Sequence, residues 1–124
     1  MAAPNIVNVA TITGKTAKIA LSSTSATTLV SNAASSNKVF KINMIQAANV
    51  DGTNAVDITV DVHSAASGGG TAYSLVSTVS VPADASLVVL DKNTAIYLEE
   101  NTSITATAGA ADDLEVLVSY EEIS

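Results

Sequence analysis

The sequence predicts an all-β protein, an antiparallel β-sandwich that is jelly-roll-like, and three observations carry that prediction. β-Branched and other apolar residues alternate with polar ones at period two from one end of the chain to the other. Clusters of Gly, Pro, Asn, Asp and Ser interrupt these runs at intervals of about 8 to 12 residues, the spacing of short strands joined by turns. No stretch shows helical periodicity, so the crossover helices of a parallel α/β fold are missing and that class is excluded. The chain divides into an N-terminal arm, residues 1–10, and a single β-sandwich domain, residues 11–124.

Taken in order, Val9 to Thr13 and Ala17 to Leu21 read as two strands separated by Gly14. Ser22-Ser23-Thr24-Ser25 breaks the pattern before a third strand, Thr27 to Ser31. Lys38 to Val50 is a long strand, with Phe40, Ile42, Met44, Ala48 and Val50 on one face and Lys41, Asn43, Ile45 and Ala47 on the other. Asn49-Val50-Asp51-Gly52-Thr53-Asn54 is a hairpin signal. In the strand that follows, Val56, Ile58, Val60 and Val62 point one way and Asp57, Thr59, Asp61 and His63 the other. Ser64 to Gly70, ending in three glycines, reads as a mobile hairpin loop. Further strands are expected at Tyr73 to Val81, stopped by Pro82-Ala83-Asp84, and at Ser86 to Leu90, stopped by Asp91-Lys92-Asn93. Ala95 to Glu99, Ser103 to Ala108 and Leu114 to Glu121 complete the set.

Leu87-Val88-Val89-Leu90, and Val116-Leu117-Val118 beside Leu114, are apolar on both faces. A doubly apolar strand in a two-layer fold is covered by a loop or by another chain. Hydrophobic residues are 48% of the chain, but alanine and valine supply much of that share, and Ala, Ser and Thr together make up about four residues in ten. A core of such small side chains stabilises weakly, since burial is worth about 25 cal/mol per Å². Help from neighbouring copies, and hence homo-oligomerisation, is expected.

Composition also removes functions. The 124 residues hold five lysines, no arginine and twelve Asp and Glu, for a net charge of −7. Without a guanidinium fork or a positive field, nucleic-acid binding is not expected. Zero cysteines exclude disulfides, thiolate nucleophiles and Cys-type zinc sites, and one histidine excludes any site needing two. The start of the chain shows neither a basic region nor a continuous apolar run, and no apolar run approaches the ~20 residues of a membrane span, so a soluble protein made in the cytoplasm is expected.

Candidate reactive clusters are few. His63 shares a strand face with Asp57 and Asp61, but side chains spread along a straight strand do not converge on one ion, so a solvated polar face is the better reading. Asp51-Gly52-Thr53-Asn54 matches a calcium loop in its first residue only. The acidic pairs Glu99-Glu100, Asp112-Asp113 and Glu121-Glu122 are adjacent in sequence, so on a strand the two members of each face opposite ways. No lysine follows the glycines at phosphate-loop spacing, and the many hydroxyls lack a general base. No catalytic, cofactor or metal residue is assigned, and the chain is not expected to be an enzyme.

Three segments carry a family resemblance: Asn5-Ile6-Val7-Asn8-Val9-Ala10-Thr11-Ile12; Val81-Pro82-Ala83-Asp84-Ala85-Ser86-Leu87-Val88-Val89-Leu90-Asp91; and Ile96-Tyr97-Leu98-Glu99-Glu100 with Leu114-Glu115-Val116 and Ser119-Tyr120-Glu121-Glu122-Ile123. Together they resemble small virion structural proteins of tailed bacteriophages, especially those of marine bacteria and cyanobacteria. That resemblance implies a β-sandwich component of the particle, decorating the capsid or placed at the neck, tail or fibre. Asn101 stands where the family often has glycine in a Leu-Glu-x-Gly-Asp-Ser turn, and asparagine tolerates the left-handed backbone such a turn uses.

The resulting expectation is a capsid decoration or cement protein, made in the host cytoplasm and located in the virion. It would be trimeric and would bridge neighbouring major capsid subunits, with Ala3 to Ala10 as an arm on a neighbour. Ile6, Val7, Val9, Val88, Leu90 and Leu117 are the expected interface residues. A neck, tail or fibre component is the first alternative. A carbohydrate-binding module is the second, for which Tyr73, Tyr97 and Tyr120 are the available aromatics; at least two of them are expected in the core or an interface.

Overall fold

Period-two patterning resolves into nine strands in a computed structural model, which describes residues 4–124. They are β1 (Ile12–Leu21), β2 (Thr27–Asn32), β3 (Val39–Asn49), β4 (Val56–His63), β5 (Ala72–Val81), β6 (Ser86–Leu90), β7 (Ile96–Leu98), β8 (Thr102–Ala108) and β9 (Leu114–Ile123). One antiparallel sheet has the order β1-β9-β3-β6, with β7 also on β3, and the other has β2-β8-β4-β5. We call them the first and second sheets. β6 and β7 are two halves of one edge, separated where Asp91 and Thr94 close a capping box on a short 3-10 turn. Four strands thus face four, in the jelly-roll order.

Ile42, Ile45, Val116 and Val118 of the first sheet meet Ile58, Val60 and Ile104 of the second, all fully buried. The core is built from Leu, Ile and Val, and only Ala47, Ala106 and Ala108 of the alanines among the described residues are buried in it. Valine is the commonest buried residue among those described, so of the small-residue core expected from composition the valine part forms and the alanine part largely does not. Alternation sends the larger branched side chains inward and leaves most alanines outside.

Several local expectations change for identifiable reasons. β1 runs unbroken through Gly14, which pairs with Glu121 in continuous register, so the two expected strands merge into one. A Cβ at Gly14 would meet nothing within 4 Å, so neither turn geometry nor close packing demands glycine there. In β3 the pairing with β9 slips between Ile42 and Met44, a β-bulge at Asn43. That extra residue inverts the faces: Phe40 and Ile42 point inward before it, Ile45, Ala47 and Asn49 after it. Met44 and Ala48, expected beside Phe40 and Ile42, consequently lie on the outer face.

Two buried asparagines tie the sheets together. Asn32, at the end of β2, donates through Nδ2 to the carbonyls of Lys38 (2.9 Å) and Leu98 (3.0 Å), the latter on the opposite sheet. Asn49, at the end of β3, donates likewise to Asn54 (2.9 Å) and to Val81 on the opposite sheet (3.0 Å). Each amide satisfies two carbonyls that would otherwise be left without partners where the chain crosses between layers.

Candidate interaction surfaces

The outer faces of the two sheets have different chemistry. On the first sheet, cross-strand pairing places Lys18, Leu117, Gln46 and Val88 in one row, and Glu121, Lys41 and Tyr97 in another. Ser119 and Met44 lie between the rows. Leu117 is 39% and Val88 55% exposed, so the two expected interface residues come together on one face. Leu90 does not join them. It is 5% exposed and sits in the core opposite Ile45, because the β3–β6 pairing slips by one residue at Val89 and turns Leu90 inward. The doubly apolar look of this strand is thus partly the signature of a bulge.

The bulge residue Asn43 donates to Glu121 at 2.8 Å on the same face. At one end of the sheet, Glu122 accepts from Lys15 (2.7 Å) and Lys38 (3.0 Å). The hydrogen bond from Lys15 is the main cause that holds the Glu122 carboxyl below the usual range, and the same bond raises Lys15. Glu122 of β9 is thus joined to Lys15 of β1 and to Lys38, just before β3, each more than eighty residues away in sequence.

The outer face of the second sheet carries Asp57, Thr59 and Asp61 of β4, Ser103, Thr105 and Thr107 of β8, and Ser74 and Ser80 of β5. No lysine lies on these strands. Ser74 donates to Asp61 at 2.6 Å. The segment from Ser64 to Thr71 folds back over one end of this face and is fastened there. Ser103 Oγ accepts from Gly68 N–H and donates to the Ala65 carbonyl, both at 2.8 Å, and Ser31 Oγ accepts from Ser67 N–H at 2.9 Å. Asn101, in the left-handed conformation anticipated for it (φ 58°), accepts from Ala66 N–H at 3.1 Å. The glycine loop is accordingly a docked cover, not a mobile hairpin, and Gly68 and Gly70 supply the positive φ its path requires.

His63 lies at the covered end and is buried, with Nε2 2.8 Å from Thr105 Oγ1. Its Nδ1 has no hydrogen-bond partner among the described residues. Asp57 stays exposed and Asp61 is engaged by Ser74, so the three residues that share a face on paper form neither a solvated trio nor a metal site. Among the described residues no group of His, Asp and Glu could hold a metal ion. No helix among them is long and apolar enough to cross a membrane.

The arm is described from Pro4 onward; Ala3 lies outside the described residues. Asn5 accepts through its side chain from Val7 N–H (3.0 Å) and through its carbonyl from Asn8 N–H (3.1 Å), making a tight turn with Ile6 and Val7 at its tip. Val7 is 91% and Ile6 52% exposed, while Val9 is half-buried. Ala10 and Thr11 N–H both reach the Ser124 carbonyl at 2.9 Å, which fastens the base of the arm to the sheet.

Tyr120 packs against Phe40, with ring centroids 5.5 Å apart, but Tyr73 and Tyr97 are both exposed. Only one of the three tyrosines is in the core. The two exposed rings belong to different sheets, so they do not form a common stacking platform.

These features define a jelly-roll protein whose polar groups serve turns, clasps and the loop cover. No family model matches the sequence and no curated protein is similar to it. Among solved structures, it is similar to a protein of Bacillus endospore appendages, described as a novel family of disulfide-linked pili. The TM-score is 0.52 at 16% identity, covering 92% of this chain and 88% of that one. At this identity the likeness establishes a shared fold.

Proposed function

We propose that this protein is a non-enzymatic structural subunit of a multi-copy particle, namely a decoration or cement protein on the capsid of a tailed bacteriophage. The observation that carries the reading is the arm: two large apolar side chains, Ile6 and Val7, held on a preformed turn away from the core. Exposed apolar tips on a rigid turn lose little entropy when they enter a neighbour's pocket. Arms that each lie on the next copy make a heterologous contact, and with a three-fold rotation that contact closes into the trimer proposed to sit on major capsid subunits.

Three further points support the reading. Jelly rolls recur in viral capsids, the neighbour in fold is itself a component of pili, and the sequence segments named above resemble virion proteins. With no cysteine in the chain, its contacts are not disulfide-linked.

Deleting the residues through Ala10 leaves the pairing of Thr11 with Ser124 in place, so the domain keeps its circular dichroism spectrum and melting temperature. Binding to purified undecorated particles is expected to be lost, and unchanged binding overturns the arm's role. Quantitative mass spectrometry of whole particles separates capsid from tail. A copy number on the scale of the major capsid protein supports decoration, and one on the scale of a single neck or fibre ring replaces it with the tail reading.

A further inference from the structure

We infer that the outer face of the first sheet is a two-fold self-association surface, on which β9 of one copy lies over β3 of a second. This goes beyond particle binding and uses a different part of the molecule from the arm. Both signs of charge, Lys18 and Lys41 with Glu115 and Glu121, surround a centre in which Leu117 and Met44 stand beside the uncharged Gln46 and Ser119. That balance stands out in a chain whose net charge is −7. Copies of so acidic a protein repel one another, and this face, where the charges sum to zero, is where the repulsion is relieved. The outer face of the second sheet offers no such match, because its strands bear Asp57 and Asp61 and no lysine.

The arrangement of charges selects the axis. A two-fold parallel to the strands and midway between β9 and β3 sets Glu121 of each copy over Lys41 of the other, giving two reciprocal ion pairs. It also gathers Leu117 and Met44 of both copies around the axis, since these residues flank it on adjacent strands. A two-fold across the strands would instead set β9 on β9 and Glu115 against Glu121, which is repulsive. The face spans four strands and about eight residues of each, roughly 500 Å² per copy at ordinary strand spacing and rise. A stable interface buries about 800 Å² per partner. The pair is therefore weak in dilute solution and gains strength where other contacts raise the local concentration.

Sedimentation velocity of the full chain, from low to high micromolar, tests this. The mass is expected to rise with concentration and the association to weaken with salt. Leu117→Asp, at an exposed site that leaves the circular dichroism spectrum unchanged, is expected to weaken self-association more than about tenfold. Lys41→Glu and Glu121→Lys are each expected to weaken it about tenfold, and the two together to restore it. A wild-type chain with a concentration-independent mass overturns the inference. So do charge reversals that leave association unchanged, or a double variant that fails to recover it. Particle binding by a chain that does not self-associate refutes this face alone, and self-association by a chain that does not bind particles refutes the proposed function alone.

Discussion

The two sheets share one core and differ on their outer sides. The second sheet covers one end of its outer face from within, folding the Ser64 to Thr71 segment over Ser103, Thr105 and His63 and fastening it through hydroxyls. The first sheet leaves Leu117, Val88 and Tyr97 open to the surroundings and frames them with both signs of charge. Polar groups engaged in an internal clasp have little left to offer a partner, whereas uncovered apolar area does. The difference teaches where this molecule is finished and where it is not.

The largest expected effect lies in the core that the two sheets share. Ile58→Ala removes a fully buried side chain at the centre of the second sheet and is expected to destabilise the protein by about 3–4 kcal/mol, measured by urea denaturation. A loss below about 1 kcal/mol would mean that the sheets are not packed through this residue.

Next come the clasps. Asn32→Ala and Asn49→Ala each strip two carbonyls of their donor and are expected to cost about 2–3 kcal/mol. Hydrogen exchange would locate the loss, near β7 for Asn32 and near β5 for Asn49, and a uniform loss would argue against two separate clasps.

A smaller effect distinguishes the covered face. Ser103→Ala removes the hydroxyl that holds both Gly68 and Ala65, and about 1–2 kcal/mol is expected with faster exchange confined to the loop. Faster exchange on the open face of the first sheet as well would erase the contrast between the two.

The smallest effect is electrostatic, at the end of the first sheet. Because the folded Glu122 carboxyl lies below its ordinary value of 4.5, its contribution is complete above that value and is lost as pH falls through the lower folded one. Lys15 is raised above 10.5, so its share is complete below that value and is lost as pH rises through the higher folded one. Glu122→Gln is expected to lower the melting temperature slightly at pH 7 and to flatten its decline below about pH 4.5. An unchanged acid limb would show that other carboxylates govern it.

Much of this was legible locally. The strands at Thr27, Val39, Val56, Ala72, Ser86 and Leu114 begin within two residues of where alternation and turn chemistry place them. Val88 and Leu117 were also recognisable as surface apolar residues, because they interrupt a period-two pattern. Leu90 was not separable from Val88 without knowing of the slip at Val89, nor Met44 from Ile42 without the bulge at Asn43. No local signal marked Asn32 and Asn49 as clasps. Asparagine before a turn is commonplace, and the decisive carbonyls of Leu98 and Val81 are far away in sequence.

The sequence by itself determined the fold class, the antiparallel layers and the absence of a thiol or multi-histidine site, because a strand's period and a residue inventory are local properties. Tertiary structure decided which side of each strand faces inward, since a single extra residue in a ladder inverts every side chain beyond it. It also decided that the glycine loop is a cover and that His63 is buried beneath it. Both depend on a hydroxyl of β8 that enters the chain more than thirty residues after the loop it holds.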